Sequence, residues 1–149
     1  MKILLASDHA GFELKNKVLE YLENQGFKTE DFGAEVFDSN DDYPEIILPL
    51  AMRLVENPEG NIGIVFGKSG NGEAIICNRL PGVRAIVYHG KNLDIVKLGR
   101  EHNNANVLSI GAGFVETEEA LSAVEMFIKT AFSGDERHIR RNEMLDNIA

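Results

Sequence analysis

A second cysteine is missing from this chain. Cys77 stands alone among 149 residues, so no intrachain disulfide can form. The cytoplasm is the default expectation for such a protein. No apolar run approaches the roughly 20 residues that a bilayer span requires. The apolar N-terminus, Met1 to Ala6, passes through Ser7 into Asp8-His9 and is too short for a secretory leader. Basic residues are scarce: 15 Lys and Arg face 24 Asp and Glu, for a net charge of −9. That balance argues against a nucleic-acid surface, which needs a basic field. His9, His89, His102 and His138 have no metal-ligand spacing, with or without the cysteine, which argues against a zinc enzyme. Composition shifts, repeats and low-complexity tracts are absent as well. Residues 1–149 therefore read as one domain, 44% hydrophobic and 26% charged, long enough to bury a full core.

What is present is an alternation of short apolar runs and helical patterns. Residues 2–7 read as a buried strand, followed by Phe12, Leu14, Val18, Tyr21 and Leu22 at helical spacing, with Gly26 closing the helix. Further strands are expected at 27–32, 62–66, 83–87 and 106–110, and 33–43 reads as an acidic loop. Helices are expected from Pro44 onward, through 74–78, over about 92–101, along Ala120 to Ala131 and over 137–148. Pro49 should lie in a first turn or cause a kink. Five βα units with short connections imply an α/β fold with a parallel sheet and helices on both faces. Ligands bind such sheets at the carboxyl ends of the strands.

The densest chemistry lies at Gly67-Lys68-Ser69-Gly70-Asn71-Gly72-Glu73, directly after the strand pattern at 62–66. Three glycines in seven residues allow a tight turn that aims several main-chain N–H groups at one point, a nest for an anion or a developing oxyanion. The segment is neither a Walker A loop nor a dinucleotide fingerprint, so it implies no nucleotide. Glu73 stands where a carboxylate can reach whatever the nest holds, which suggests proton transfer on a small carbonyl compound. Asp8-His9 follows the first strand, with an N-cap as the plain structural reading of Asp8. Asp41 and Asp42, ahead of Tyr43-Pro44, read as solvated loop carboxylates. His102, Asn103 and Asn104 end a helix, where an imidazole suits the dipole and asparagine suits the cap. Arg137, His138, Arg140 and Arg141 form the one dense basic patch, and Arg137 and Arg141 share a helical face able to grip one phosphate.

In order along the chain, SDHAGFELK at 7–15, DYP at 42–44, GKSGNGE at 67–73, REHNNANVL at 100–108 and RHIRR at 137–141 resemble the ribose-5-phosphate isomerase B family, which includes the galactose-6-phosphate isomerase subunits. The resemblance implies a Rossmann-like three-layer αβα sandwich with a five-stranded parallel sheet and a C-terminal helix. It implies aldose–ketose isomerisation of a sugar phosphate through an enediolate, with no metal and no cofactor. It further implies a homodimer whose sites are completed across the interface, and leaves a dimer of dimers open. The base in this family is a cysteine at the position of Gly67 or a glutamate at Glu73, and this chain resembles the glutamate branch. By the same likeness Glu73 relays the proton between C1 and C2. Main-chain N–H groups around Lys68, Gly70, Asn71 and Gly72, beside Gly67, hold the oxyanion with the Ser69 side chain. His102, assisted by Asp8, opens the furanose ring. Asn103 and Tyr43 position hydroxyls, and His9, Arg137 and Arg141 hold the phosphate.

One position departs from the pattern. Gly113 stands where many members carry a phosphate-contacting arginine, and Lys68 stands where many carry glycine. Lys68 is the candidate replacement. Two other readings stay open: a sugar-phosphate-binding module without catalysis, and one subunit of a hetero-oligomeric isomerase. Ribose 5-phosphate is the expected substrate, with six-carbon aldose 6-phosphates as the alternative.

Overall fold

The computed structural model describes residues 1–148 and forms one five-stranded sheet, every neighbouring pair parallel. In chain order the elements are β1 (Lys2–Ser7), α1 (Phe12–Asn24), β2 (Lys28–Asp31), α2 (Tyr43–Glu56), β3 (Asn61–Gly67) and α3 (Asn71–Cys77). Then follow β4 (Ala85–Tyr88), α4 (Asp94–Asn103), β5 (Val107–Gly111), α5 (Thr117–Lys129) and α6 (Glu136–Asp146), with a single 3₁₀ turn at His9–Gly11. The spatial order β2-β1-β3-β5-β4 confirms the expected parallel α/β architecture.

Alternation along the strands sends successive side chains to opposite faces. Ile3 and Leu5 on β1, Ile64 and Phe66 on β3, and Leu108 and Ile110 on β5 pack with α1, α4 and α5. Leu4, Ala6, Val65 and Val107 pack on the other face with Ile47, Leu50 and Leu54 of α2 and Cys77 of α3. α6 lies outside these layers and docks on α4.

Most boundaries move by one to three residues from expectation, as helix ends commonly do. Pro49 is the larger difference: it sits inside α2 rather than in a first turn. It removes one intrahelical donor, yet the buried residues Ile47, Leu50, Ala51 and Leu54 on both sides hold the helix against the sheet. Packing outweighs the local penalty. Gly26, with φ of 83°, closes the α1 segment as expected.

Between β1 and β3 the chain reverses the direction in which it adds strands, so their carboxyl ends flank the crevice where such folds bind ligands. Asp8 follows one of these strands and the glycine loop follows the other.

Candidate active site

The carboxyl-edge cluster is assembled around Glu73. This side chain is 3% exposed, in the first turn of α3, and a β-carbon added at Gly67 would overlap its carboxyl group. Glycine at 67 is thus the space in which the Glu73 carboxylate lies. Burial pushes the Glu73 carboxyl above its ordinary value, and the nearby Asp8 charge adds to this, while a main-chain hydrogen bond opposes it. A carboxyl raised in this way holds a proton more readily than an ordinary carboxylate, as a group that accepts and returns one must.

Gly70 adopts φ of 80°, the left-handed conformation that turns the loop into α3. Its carbonyl accepts from the buried Ser109 hydroxyl at 2.6 Å, so β5 fixes the loop from beneath. Sequence reasoning passed over Ser109. A lone hydroxyl in the buried run Val107–Gly111 was the available signal. The Ser69 hydroxyl accepts from the Asn71 N–H at 3.2 Å, and Lys68 is exposed on the rim. Tyr43, at the start of α2, covers Gly72, whose β-carbon would come 2.8 Å from the phenol oxygen. Asp8 is 8% exposed and caps the 3₁₀ turn, accepting from Ala10 at 2.9 Å and Gly11 at 3.2 Å.

His9 forms a pair that the sequence reading did not anticipate. Its Nδ1 lies 2.6 Å from Asp41 Oδ1, and the same oxygen accepts from the His9 main-chain N–H at 3.2 Å. The Asp41 hydrogen bond raises the imidazole above its ordinary value, partial burial opposes, and the Asp8 and Asp38 charges add. Asp41 is therefore not the solvated loop carboxylate expected. Its partner is 32 residues away, a contact no local pattern reveals.

His102, Asn103, Arg137 and Arg141 stand elsewhere. α4 starts after β4 and returns to the start of β5, so its last turn lies at the amino edge of the sheet. Arg84, just before β4, donates to the carbonyls of Asn103 and Asn104, and also pairs with Asp146 at the end of α6. Asn104, with φ of 45°, caps α4 in the manner expected of asparagine. The His102 and His138 rings stack with centroids 4.3 Å apart, and Arg137 and Arg141 are exposed on α6. The seven residues of β3 separate the two edges by roughly 20 Å at about 3.3 Å per residue. Within one chain, then, His102 is not beside Asp8, and His9 is not beside the two arginines.

Two hollows lie alongside these groups: the first touches Asn103 but not His102, Arg137 or Arg141, and the second touches Tyr43 and Gly72 but not Glu73. One of about 550 Å³ at the amino edge is bordered by Arg79, Val83, Ile86, Asn103, Leu145 and Ile148. One of about 220 Å³ runs along α2 and α3, bordered by Tyr43, Gly72, Ile75 and Arg79. Cys77 is an inert thiol: burial, with the Glu73 charge adding, pushes it up to about 12.

The fold and the carboxyl edge together define a parallel α/β protein in which a buried carboxyl group lies over Gly67 at the start of a glycine-rich turn. The comparisons with known proteins narrow this class. Residues 3–145 match the family model described as Ribose/Galactose Isomerase, and the chain belongs to that family. It is 42% identical over 145 residues to ribose-5-phosphate isomerase B of Mycolicibacterium paratuberculosis, covering 97% of this chain and 89% of that protein. It is similar to the crystal structure of ribose-5-phosphate isomerase B from Mycoplasma genitalium with bound ribulose-5-phosphate, with a TM-score of 0.92 and 34% identity over 97% of this chain and 93% of the other. A ribose 5-phosphate isomerase from Thermotoga maritima gives a TM-score of 0.91 and 37% identity over 99% and 98% of the two chains.

Proposed function

We propose that this chain is an aldose–ketose isomerase interconverting ribose 5-phosphate and ribulose 5-phosphate through an enediolate, with Glu73 as the base. The observation that carries this reading is the Glu73 carboxyl, buried and lying over Gly67 inside the glycine loop. In the open-chain aldose, Glu73 removes the C2 hydrogen as a proton, and the carbonyl oxygen takes the negative charge. Main-chain N–H groups from Lys68 to Gly72 and the Ser69 hydroxyl stabilise that charge; the hydroxyl proton of O2 passes to O1, and the same carboxyl returns its proton to C1, leaving the carbonyl at C2. Tyr43 orients hydroxyls and His9 binds phosphate. The substrate class is that of the relatives.

The remaining roles require a second copy of the chain. His102, which opens the ring, and Asn103, Arg137 and Arg141 lie at the opposite edge from Glu73, so a homodimer with shared sites is the assembly that unites them. Exposed apolar side chains support it: Ile75, two residues past Glu73, is 57% exposed, and Met52 and Val55 on α2 are 51% and 46% exposed. Both half-sites occur in this one sequence, which favours a second copy of itself over a different partner.

Lys68 takes the place of the cation missing at Gly113. The Gly113 N–H donates to the Lys68 carbonyl at 2.9 Å, and a β-carbon at 113 would come 3.1 Å from Lys68 Cγ. The lysine stem thus uses the room the glycine leaves. Lys68 forms no ion pair among the described residues, so its ammonium is available to an anion.

The decisive experiment is Glu73→Gln. Turnover of ribose 5-phosphate should fall by about 10²–10⁴-fold, and exchange of the C2 hydrogen in deuterated water should disappear while substrate still binds. Retained turnover would exclude Glu73 as the base. The same variant should be the more stable protein at neutral pH. A carboxyl whose folded value is raised costs the native state stability as pH climbs from about 4.5 through that raised value. The difference between Gln and Glu should therefore vanish in acid.

A further inference from the structure

We infer that Asp41 is a positioning residue for substrate binding: one of its oxygens clamps His9 at both the ring and the main chain, leaving Nε2–H as the donor offered to the phosphate. This rests on the role proposed above for His9.

The geometry is specific. Asp41 Oδ1 accepts from the His9 main-chain N–H at 3.2 Å and meets Nδ1 at 2.6 Å, within the range of a charge-assisted bond. With Nδ1 so engaged, it is the protonated nitrogen that faces the carboxylate, and Nε2 has no hydrogen bond among the described residues. Phe37 meets the ring edge-on at 6.2 Å between centroids, restricting its rotation. The second Asp41 oxygen, Oδ2, is buried and has no hydrogen-bond partner among the described residues. A carboxylate half-unsatisfied in this way is costly unless its charge has a use, and beside it stands the imidazole it charges.

The electrostatics agree with the geometry. His9 faces Asp41 from the loop before α2, Asp8 on its own segment, and the more distant Asp38. All three favour the imidazolium, and the hydrogen bond to Asp41 is the largest influence. A histidine of ordinary basicity is mostly neutral at pH 7.5 and is a poor partner for a phosphate dianion. Clamped by Asp41, His9 keeps its charge to higher pH than an ordinary histidine does. A carboxylate near a phosphate site thus strengthens anion binding through the donor it holds, despite its own sign.

The test compares Asp41→Asn with Asp41→Glu as the conservative rescue and Asp38→Asn as the charge control. In the free protein, the His9 imidazole titration followed by NMR should have a midpoint above the ordinary histidine value, and Asp41→Asn should lower it. The KM for ribose 5-phosphate at pH 7.5 should rise on the order of tenfold in Asp41→Asn, with kcat little changed and the difference shrinking towards pH 6. Asp41→Glu should recover most of this, and Asp38→Asn should leave KM within about twofold. Inorganic phosphate should perturb the His9 resonance in the wild type at concentrations that leave Asp41→Asn unaffected. An ordinary His9 midpoint in the wild type overturns the proposal, even if the asparagine variant fails to fold. So does an increase in KM that is uniform with pH. Should the wild type turn over no sugar phosphate, the isomerase reading fails, while the titration and the inorganic phosphate arm still decide the role of Asp41.

Discussion

Glu73 and Gly67 occupy a single volume between them, and this exclusion shapes the residue-level chemistry. Any side chain at 67 would displace the carboxyl group from the loop. The same relation recurs at the rim, where the Lys68 stem lies against Gly113. Lys68→Met keeps the stem and removes the charge. We expect it to raise the KM for ribose 5-phosphate by about one order of magnitude, the scale of one charge-assisted bond, and to leave kcat nearly unchanged. Initial-rate kinetics check this, with an unchanged KM excluding a role for the lysine. The glycine loop, Glu73 and Asp8 were legible because their chemistry is local: three glycines, one acid and a strand before them. The Asp41 pairing was not, since its partner lies 32 residues distant and adjacent loop carboxylates are usually hydrated.

At the scale of elements, the strands were legible because each buries an unbroken apolar run, as parallel strands covered on both faces must. α2 was less so. Pro49 counted locally as a stop, yet the helix passes through it because flanking residues are buried against the sheet. α6 depends on a contact invisible to periodicity, the stacking of His138 on His102. His138 is 4% exposed and accepts or donates one hydrogen bond with the Ser133 hydroxyl at 2.9 Å. Burial pushes its imidazole below the ordinary value, with His102, Arg137 and Arg141 adding to this and Asp135 opposing. A histidine depressed in the folded state contributes stability that is present above about pH 6.5 and is lost as pH falls through the folded value. Thermal midpoints measured from pH 8 to pH 5 should therefore drop less in His138→Phe than in the wild type. Parallel curves for the two proteins would show that the imidazole is not the sensor.

For the whole molecule, the decisive property is the distance between the two functional edges. The sequence reading took the sharing of sites from a family resemblance; topology gives a physical reason for it. A helix that returns from the end of one parallel strand to the start of the next must carry its last turn to the far edge, so His102 and Glu73 cannot meet within one chain. Subunit mixing tests the consequence. Glu73→Gln and His102→Ala proteins should each be inactive. Unfolded together and refolded, they should regain about one quarter of wild-type turnover, since half the dimers are mixed and each mixed dimer contains one intact pair. Failure of the mixture to recover any turnover, with mixed dimers demonstrated by mass, would rule out complementation across the interface.

The membrane question remains at the level of single helices: none of those described is long and apolar enough to cross a bilayer. The return path of α4 has a different consequence. In the dimer proposed above, damage to the tail of one polypeptide would be suffered by its neighbour, whose own acid and amide turn stay whole. Under that proposal each chain would depend for its chemistry on the soundness of another.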